Sequence, residues 1–140
     1  MTLIGNNTKT MKKLSLLTIL LLVAALSLSQ VTKERLDQGT VGNLVEGEWK
    51  WTEWDYCSIL CVVDMNNSNV KIYSKTIQDY DIISDGEEYN TDEGWEQIKY
   101  SAVDAYGTVC LLFFMNDDEL GRFIGIEYAD TRVMYHIKSD

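Results

Sequence analysis

The chain has 140 residues, with 22 acidic side chains against 12 basic ones, a single histidine and a net charge of −10. That balance excludes nucleic acid and anionic membrane surfaces as partners, while a cationic partner remains electrostatically favoured. One histidine also excludes two-histidine metal sites and facial triads, and no cofactor-binding motif occurs.

Residues 1–29 read as a signal peptide. Lys12-Lys13 precede an apolar run from Leu14 to Leu28, and the small residues Ser27 and Ser29 prepare a cleavage before Gln30. Met11 serves as a start as well as Met1. The run is too short and too soon followed by polar sequence to span a bilayer. The processed protein is therefore expected to be secreted or periplasmic, with no stable membrane span. Lys9, Lys12 and Lys13 leave with the signal, so the exported remainder is more acidic than the whole.

Residues 30–43 are polar, carry Gly39 and Gly42, and read as a flexible lead-in to a single β domain over 44–140. Leu44 to Trp51 then reads as the first strand, with Trp49 and Trp51 on one face. Ser58 to Met65 is apolar, Asn66-Asn67-Ser68-Asn69 is a dense turn signal, and Val70 to Lys75 alternates, which together predict a hairpin. Asp79 to Ser84 offers a short strand. The acidic stretch 85–94 reads as a solvated loop. Asp85, Glu87 and Asp92 in it are a weaker alternative as calcium ligands, since the EF-hand glycine and terminal glutamate are missing.

Trp95 to Val103 alternates, and Asp104-Ala105-Tyr106-Gly107 has the residues of a tight turn. Thr108 to Met115 is apolar at nearly every position and predicts a strand covered on both faces. Phe123 to Tyr128 and Arg132 to Lys138 alternate again, with Gly125 where another backbone comes close. The expected fold is all-β: an antiparallel meander of about eight short strands, closed as a small barrel or folded as a β-sandwich.

Gly47-Glu48-Trp49 resembles the Gly-x-Trp start of the lipocalin-like, or calycin, barrels. The segments Ile72-Tyr73-Ser74-Lys75, Val103 to Gly107 and Ile126-Glu127-Tyr128 also resemble small secreted bacterial proteins of unknown function. The lipocalin resemblance implies that Trp49 plugs one end of the barrel with Arg132 packed across it. The lipocalin Thr-Asp-Tyr element has no counterpart; Ala129-Asp130-Thr131 does not reproduce it.

No catalytic constellation is evident, and the protein is expected not to be an enzyme. His136 lies on the polar face of its strand and reads as solvated; a relay through it would need a nucleophile for which no signature exists. Cys57 and Cys61 would lie about 13 Å apart on a strand, too far to bridge. A disulfide from one of them to Cys110 is the better option in an exported chain, with three buried free thiols as the alternative. The tryptophans and tyrosines support two binding modes. In the first, Trp49, Trp51, Tyr100, Phe114 and Tyr128 line a barrel site for a small apolar ligand. In the second, the acidic loop and exposed aromatics form an interaction or inhibitor surface for a cationic protein.

Overall fold

The computed structural model describes residues 31–84, 86–90 and 96–139; residues 1–30, in which the expected signal peptide falls, Asp85, residues 91–95 and Asp140 lie outside them. Ten strands follow one another: β1 (Val31–Val45), β2 (Glu48–Trp51), β3 (Asp55–Asp64), β4 (Asn69–Tyr73), β5 (Ile77–Ile82), β6 (Glu87–Asn90), β7 (Glu96–Val103), β8 (Val109–Asp117), β9 (Gly121–Glu127) and β10 (Thr131–Ile137). Every pairing is antiparallel, and a β1–β10 seam shuts β1, β3, β4, β5, β7, β8, β9 and β10 into an eight-stranded barrel. The two remaining strands are outlying pieces of the same meander. β2 and β3 pair in turn with one edge of β1, and β5 and β6 with one edge of β7. The barrel, and not the sandwich, is the fold.

Residues 30–43 are not a flexible lead-in: from Val31 onward they form the longest strand, which bonds β3 and β10. The polar pattern has two causes. Thr32 is buried, and Glu34, on the same face of β1, pairs with Arg122 at one end of the barrel. Further along, neighbouring rings occupy the space that side chains of β1 would take: Tyr135 lies over Gly39 and Trp51 over Gly42, so a Cβ at either would sit 3.0–3.2 Å from a ring. The apolar cover belongs to partners far away in sequence.

Leu44 to Trp51 is likewise two strands. Glu46 (φ 51°) and Gly47 (φ 80°) form a two-residue turn of left-handed residues that folds β2 back on β1. Other turns follow the expected chemistry. Ser68 takes φ 48° in the Asn-rich turn. Asp104 Oδ1 accepts from the Tyr106 and Thr108 amides, at 2.9 Å each.

Inside, alternate residues of each strand make one core. Leu36, Val70, Ile72, Ala102, Leu112 and Ile124 have no measurable exposure. A void wide enough for water would expose the side chains that line it, so this belt is filled. Burying each large aliphatic side chain contributes about 1.5–3 kcal/mol. β8 is covered on both faces as expected. Cys110, Leu112 and Phe114 point inward, while Phe113 and Met115 join Phe123 and Met134 in a second cluster on the outer wall. At Gly125 it is the Phe113 ring, not another backbone, that comes close.

Candidate binding surface

The β1–β2 hairpin extends past the ring, and its register decides which way the tryptophans point. Gly42 pairs with Trp51 on one side and with Arg132 on the other; Leu44 pairs with Trp49. Arg132 alternates with Val133 and Tyr135, which pack on the interior core. Trp49, Trp51 and Leu44 therefore stand on the outer wall. Trp54 follows on the same wall with its ring 5.8 Å from Phe123, and Tyr56, paired with Gln38 opposite His136, also points out. Trp51 and Trp54 are each 41% exposed and Tyr56 is 89% exposed.

This aromatic surface is held in shape from beneath. The Trp49 and Trp51 rings lie 6.5 Å apart. The Arg132 guanidinium lies 4.3 Å from the Trp49 ring centre, a cation–π stack, and pairs with Glu127 at 2.6 Å, with Lys99 at 3.6 Å from the same carboxylate. The Thr40 hydroxyl donates to the Thr52 carbonyl at 2.7 Å and ties the 52–54 break back to β1. Exposed Glu46, Glu48, Glu53 and Asp55 flank the tryptophans in sequence, against one lysine, Lys50, which pairs with Glu48 at 2.9 Å on the opposite face of β2. The segment is anionic.

The proposed ligand-lining residues are thus divided between two sides of the wall. Tyr100 and Phe114 meet edge to face inside, 6.1 Å apart, and Tyr128 packs against the same core. Trp49 and Trp51 are outside and do not join them. Trp49 and Arg132 do meet, on the outer wall. Asp85 and Asp92 lie outside the described residues, and Glu87 is placed only as part of β6. Among the described residues no cluster of histidine, cysteine and carboxylate side chains suits a metal ion.

The two ends of the interior are polar. At one, Glu34 and Arg122 form a bidentate pair at 3.0 and 3.4 Å. At the other, the Tyr128 hydroxyl donates to Asp104 at 2.7 Å and Tyr80 to Gln78 at 2.6 Å, while the Gln78 amide donates to Tyr135 at 3.1 Å. The Tyr128 bond and the turn amides hold the Asp104 carboxyl below the usual value, and burial raises the Tyr80, Tyr128 and Tyr135 phenols.

All three cysteines are free thiols, so the disulfide option does not hold. Counting round the ring, β3 and β8 lie opposite each other, and the core fills the space between Cys57 or Cys61 and Cys110. Burial, with Glu34 nearby, pushes the Cys61 thiol up to about 12, and burial also raises Cys57 and Cys110.

His136 is not a solvated surface group. Its Nδ1 lies 2.7 Å from Asp37, the residue at the β1 bulge, and its Nε2 lies 3.1 Å from the Leu120 carbonyl. The ring edge also packs on Phe123 at 5.1 Å. Both nitrogens face acceptors, which makes the residue a strut between β1, β10 and the β8–β9 turn. Sequence reasoning missed this because Asp37 is brought opposite β10 only by the bulge.

Comparison of the chain with protein-family models, with curated proteins and with solved structures returned no match.

Proposed function

We propose that this chain is exported by a bacterium, to the periplasm or beyond, and there serves as a non-enzymatic binding module. In this reading it engages a cationic protein partner through the outer aromatic surface of the β1–β2 hairpin, not through the barrel interior. One observation carries the choice: the mid-barrel side chains are completely enclosed, while Leu44, Trp51, Trp54 and Tyr56 stay exposed together on one wall. Solvated indoles and phenols on a braced scaffold suit a protein contact, because their large apolar area is ordered before the partner arrives. The alternative, a lipocalin-like site for a small apolar ligand, has Tyr100 and Phe114 in the wall but a filled belt where the ligand would lie. For catalysis through His136, the ring has a carboxylate on one side and a backbone carbonyl, not a nucleophile, on the other.

The test is affinity capture from the exported fraction of the producing bacterium, with the wild type and with a Trp51→Ser, Trp54→Ser double variant as baits. The expected result is a protein of net positive charge retained by the wild type, released by 0.5–1 M salt on the order of a fully screened contact, and lost from the variant. Retention equal on both baits would refute the outer surface. Saturable uptake of a hydrophobic fluorescent probe, unaffected by the double variant, would restore the interior reading.

A further inference from the structure

We propose that the free edge of β2 accepts an extended, cationic segment of a partner protein as an additional strand. The proposal rests on the outward reading above and adds the mode of attachment. Its basis is the hydrogen-bond alternation within the hairpin. The Thr52 amide donates to the Val41 carbonyl at 2.8 Å, which makes that pair a bonded one. Bonded and unbonded pairs alternate along an antiparallel ladder, so Asn43 with Lys50 and Val45 with Glu48 are bonded, and Gly42 with Trp51 and Leu44 with Trp49 are not.

The other side of β1 gives an independent check. The Leu44 amide donates to the Asp130 carbonyl at 2.9 Å, away from β2, as its place in an unbonded pair requires. By the same alternation, the N–H and C=O groups of Trp49 and Trp51 point to the side of β2 opposite β1. β2 is the terminal strand of the bonding order, and among the described residues no strand lies along that side. Two donors and two acceptors, spaced as i and i+2, are presented side by side.

An open strand edge is ordinarily a hazard that a fold blunts by shortness, proline or an unpaired lysine. This one is short, but it has no proline, and its one lysine is neutralised by Glu48. Its backbone is held in register by the Trp49–Arg132 stack and by the Trp51 ring lying on Gly42. Main-chain pairing would supply attachment, and the flanking side chains would supply selection.

Charge identifies the occupant. Glu46, Glu48, Glu53 and Asp55 border the edge, and the whole chain carries −10. A second copy pairing β2 to β2 would bring these carboxylates against themselves, and a nucleic acid would be repelled outright. An incoming strand with arginine or lysine at alternate positions lays those side chains over the indoles on the outer face, drawn there by the net negative charge of the segment. The guanidinium–indole contact it would make there already exists once in the molecule, between Arg132 and Trp49.

The experiment uses the protein purified from the cells that make it and two synthetic probes, acetyl-(Arg-Val)4-amide and acetyl-(Glu-Val)4-amide. Tryptophan fluorescence reports contact with the surface, and amide hydrogen exchange reports edge pairing. Expected is quenching by the arginine peptide together with slowing of the Trp49 and Trp51 amides by about tenfold or more, a tenfold change corresponding to about 1.4 kcal/mol. The Lys50 amide, already bonded within the hairpin, should be unaffected.

The glutamate peptide, and an arginine peptide N-methylated at alternate residues, should do neither. Trp51→Phe should retain the exchange effect, whereas Trp51→Pro, which removes an edge donor not used within the fold, should abolish it. Quenching without protection of either tryptophan amide would overturn strand addition and leave the aromatic-surface reading standing. Equal protection by both peptides would overturn the charge selection. No response to the arginine peptide at about 1 mM, an affinity weaker than roughly −4 kcal/mol, would overturn the proposal as a whole.

Discussion

Aromatic side chains are used in two different ways on the two sides of this barrel wall. Inside, Tyr100 and Phe114 pack edge to face against aliphatic neighbours, and the phenols of Tyr80, Tyr128 and Tyr135 are tied up by Gln78 and Asp104. Outside, Trp51 leans on Gly42 and Trp54 on Phe123, Tyr56 stands almost fully exposed, and all three keep much of their surface in water. Strand alternation alone sorts them: one step along the chain moves a ring from a filled interior to an open exterior. The interior rings are needed to fill space. The exterior rings cover the wall on one side only and leave much of their apolar area in water, and that makes a contact role the simpler account of the exposed part.

If that contrast is right, substitutions should rank by side of the wall. Leu112→Ala should cost the most, about 2–5 kcal/mol in chemical denaturation, because it opens a hole in a belt with no slack. Gly125→Ala should come next, at about 1–3 kcal/mol, since the new Cβ overlaps the buried Phe113 ring. An intermediate loss, about 1–2 kcal/mol, is expected for Arg122→Met, which leaves the Glu34 carboxylate at the barrel end without its partner. A loss as large as that of Leu112→Ala would mean that the polar end, not the aliphatic belt, dominates stability.

A pH experiment sharpens the interior half of the comparison. Asp104 has a depressed carboxyl, chiefly through the Tyr128 hydroxyl, so its contribution is present above the ordinary value of 3.8 and disappears as pH falls through the lower folded value. Tyr128→Phe should therefore lower the melting temperature at pH 7, and the gap from wild type should close on acidification below about pH 4. A gap that does not change with pH would show that the bond matters only through packing. Thiol labelling should show the same enclosure. Cys61, with its thiol pushed up to about 12, should react only on unfolding, and partly exposed Cys57 should react first.

The smallest stability effect belongs to the outer wall. Trp51→Ser should change stability by about 1 kcal/mol or less while abolishing capture of the partner. A collapse of the fold in this variant would place Trp51 among the structural residues and remove the distinction on which the functional reading stands.

Much of the architecture could be read from residue order. Periodicity two, the Asn-rich turn at 66–69 and the Asp104 turn follow from local chemistry, and the barrel with its doubly covered β8 is what such elements assemble into. The misreadings share a cause in distance along the chain. β1 looked like a linker because Tyr135 and Trp51 cover its glycines from elsewhere. The β1–β2 turn was invisible because Glu46 takes the left-handed place that asparagine, aspartate or glycine usually fills. That hidden turn also misplaced Trp49 and Trp51, assigned to a ligand lining when the hairpin carries them to the outer wall. His136 went unrecognised as a strut because a bulge aims Asp37 at it.

The β1–β10 seam has a consequence for how the molecule comes into being. Leu36 pairs with Ile137, and Asn43 with Thr131, so β1, made early in vectorial synthesis, waits for β10 before both its sides are matched. Closure is thus a late event joining sequence-distant partners, which favours slow, all-at-once maturation over stepwise growth. Until then the nascent chain presents unpaired ladders on two flanks, and it has to be kept apart from other copies of itself until the tail arrives.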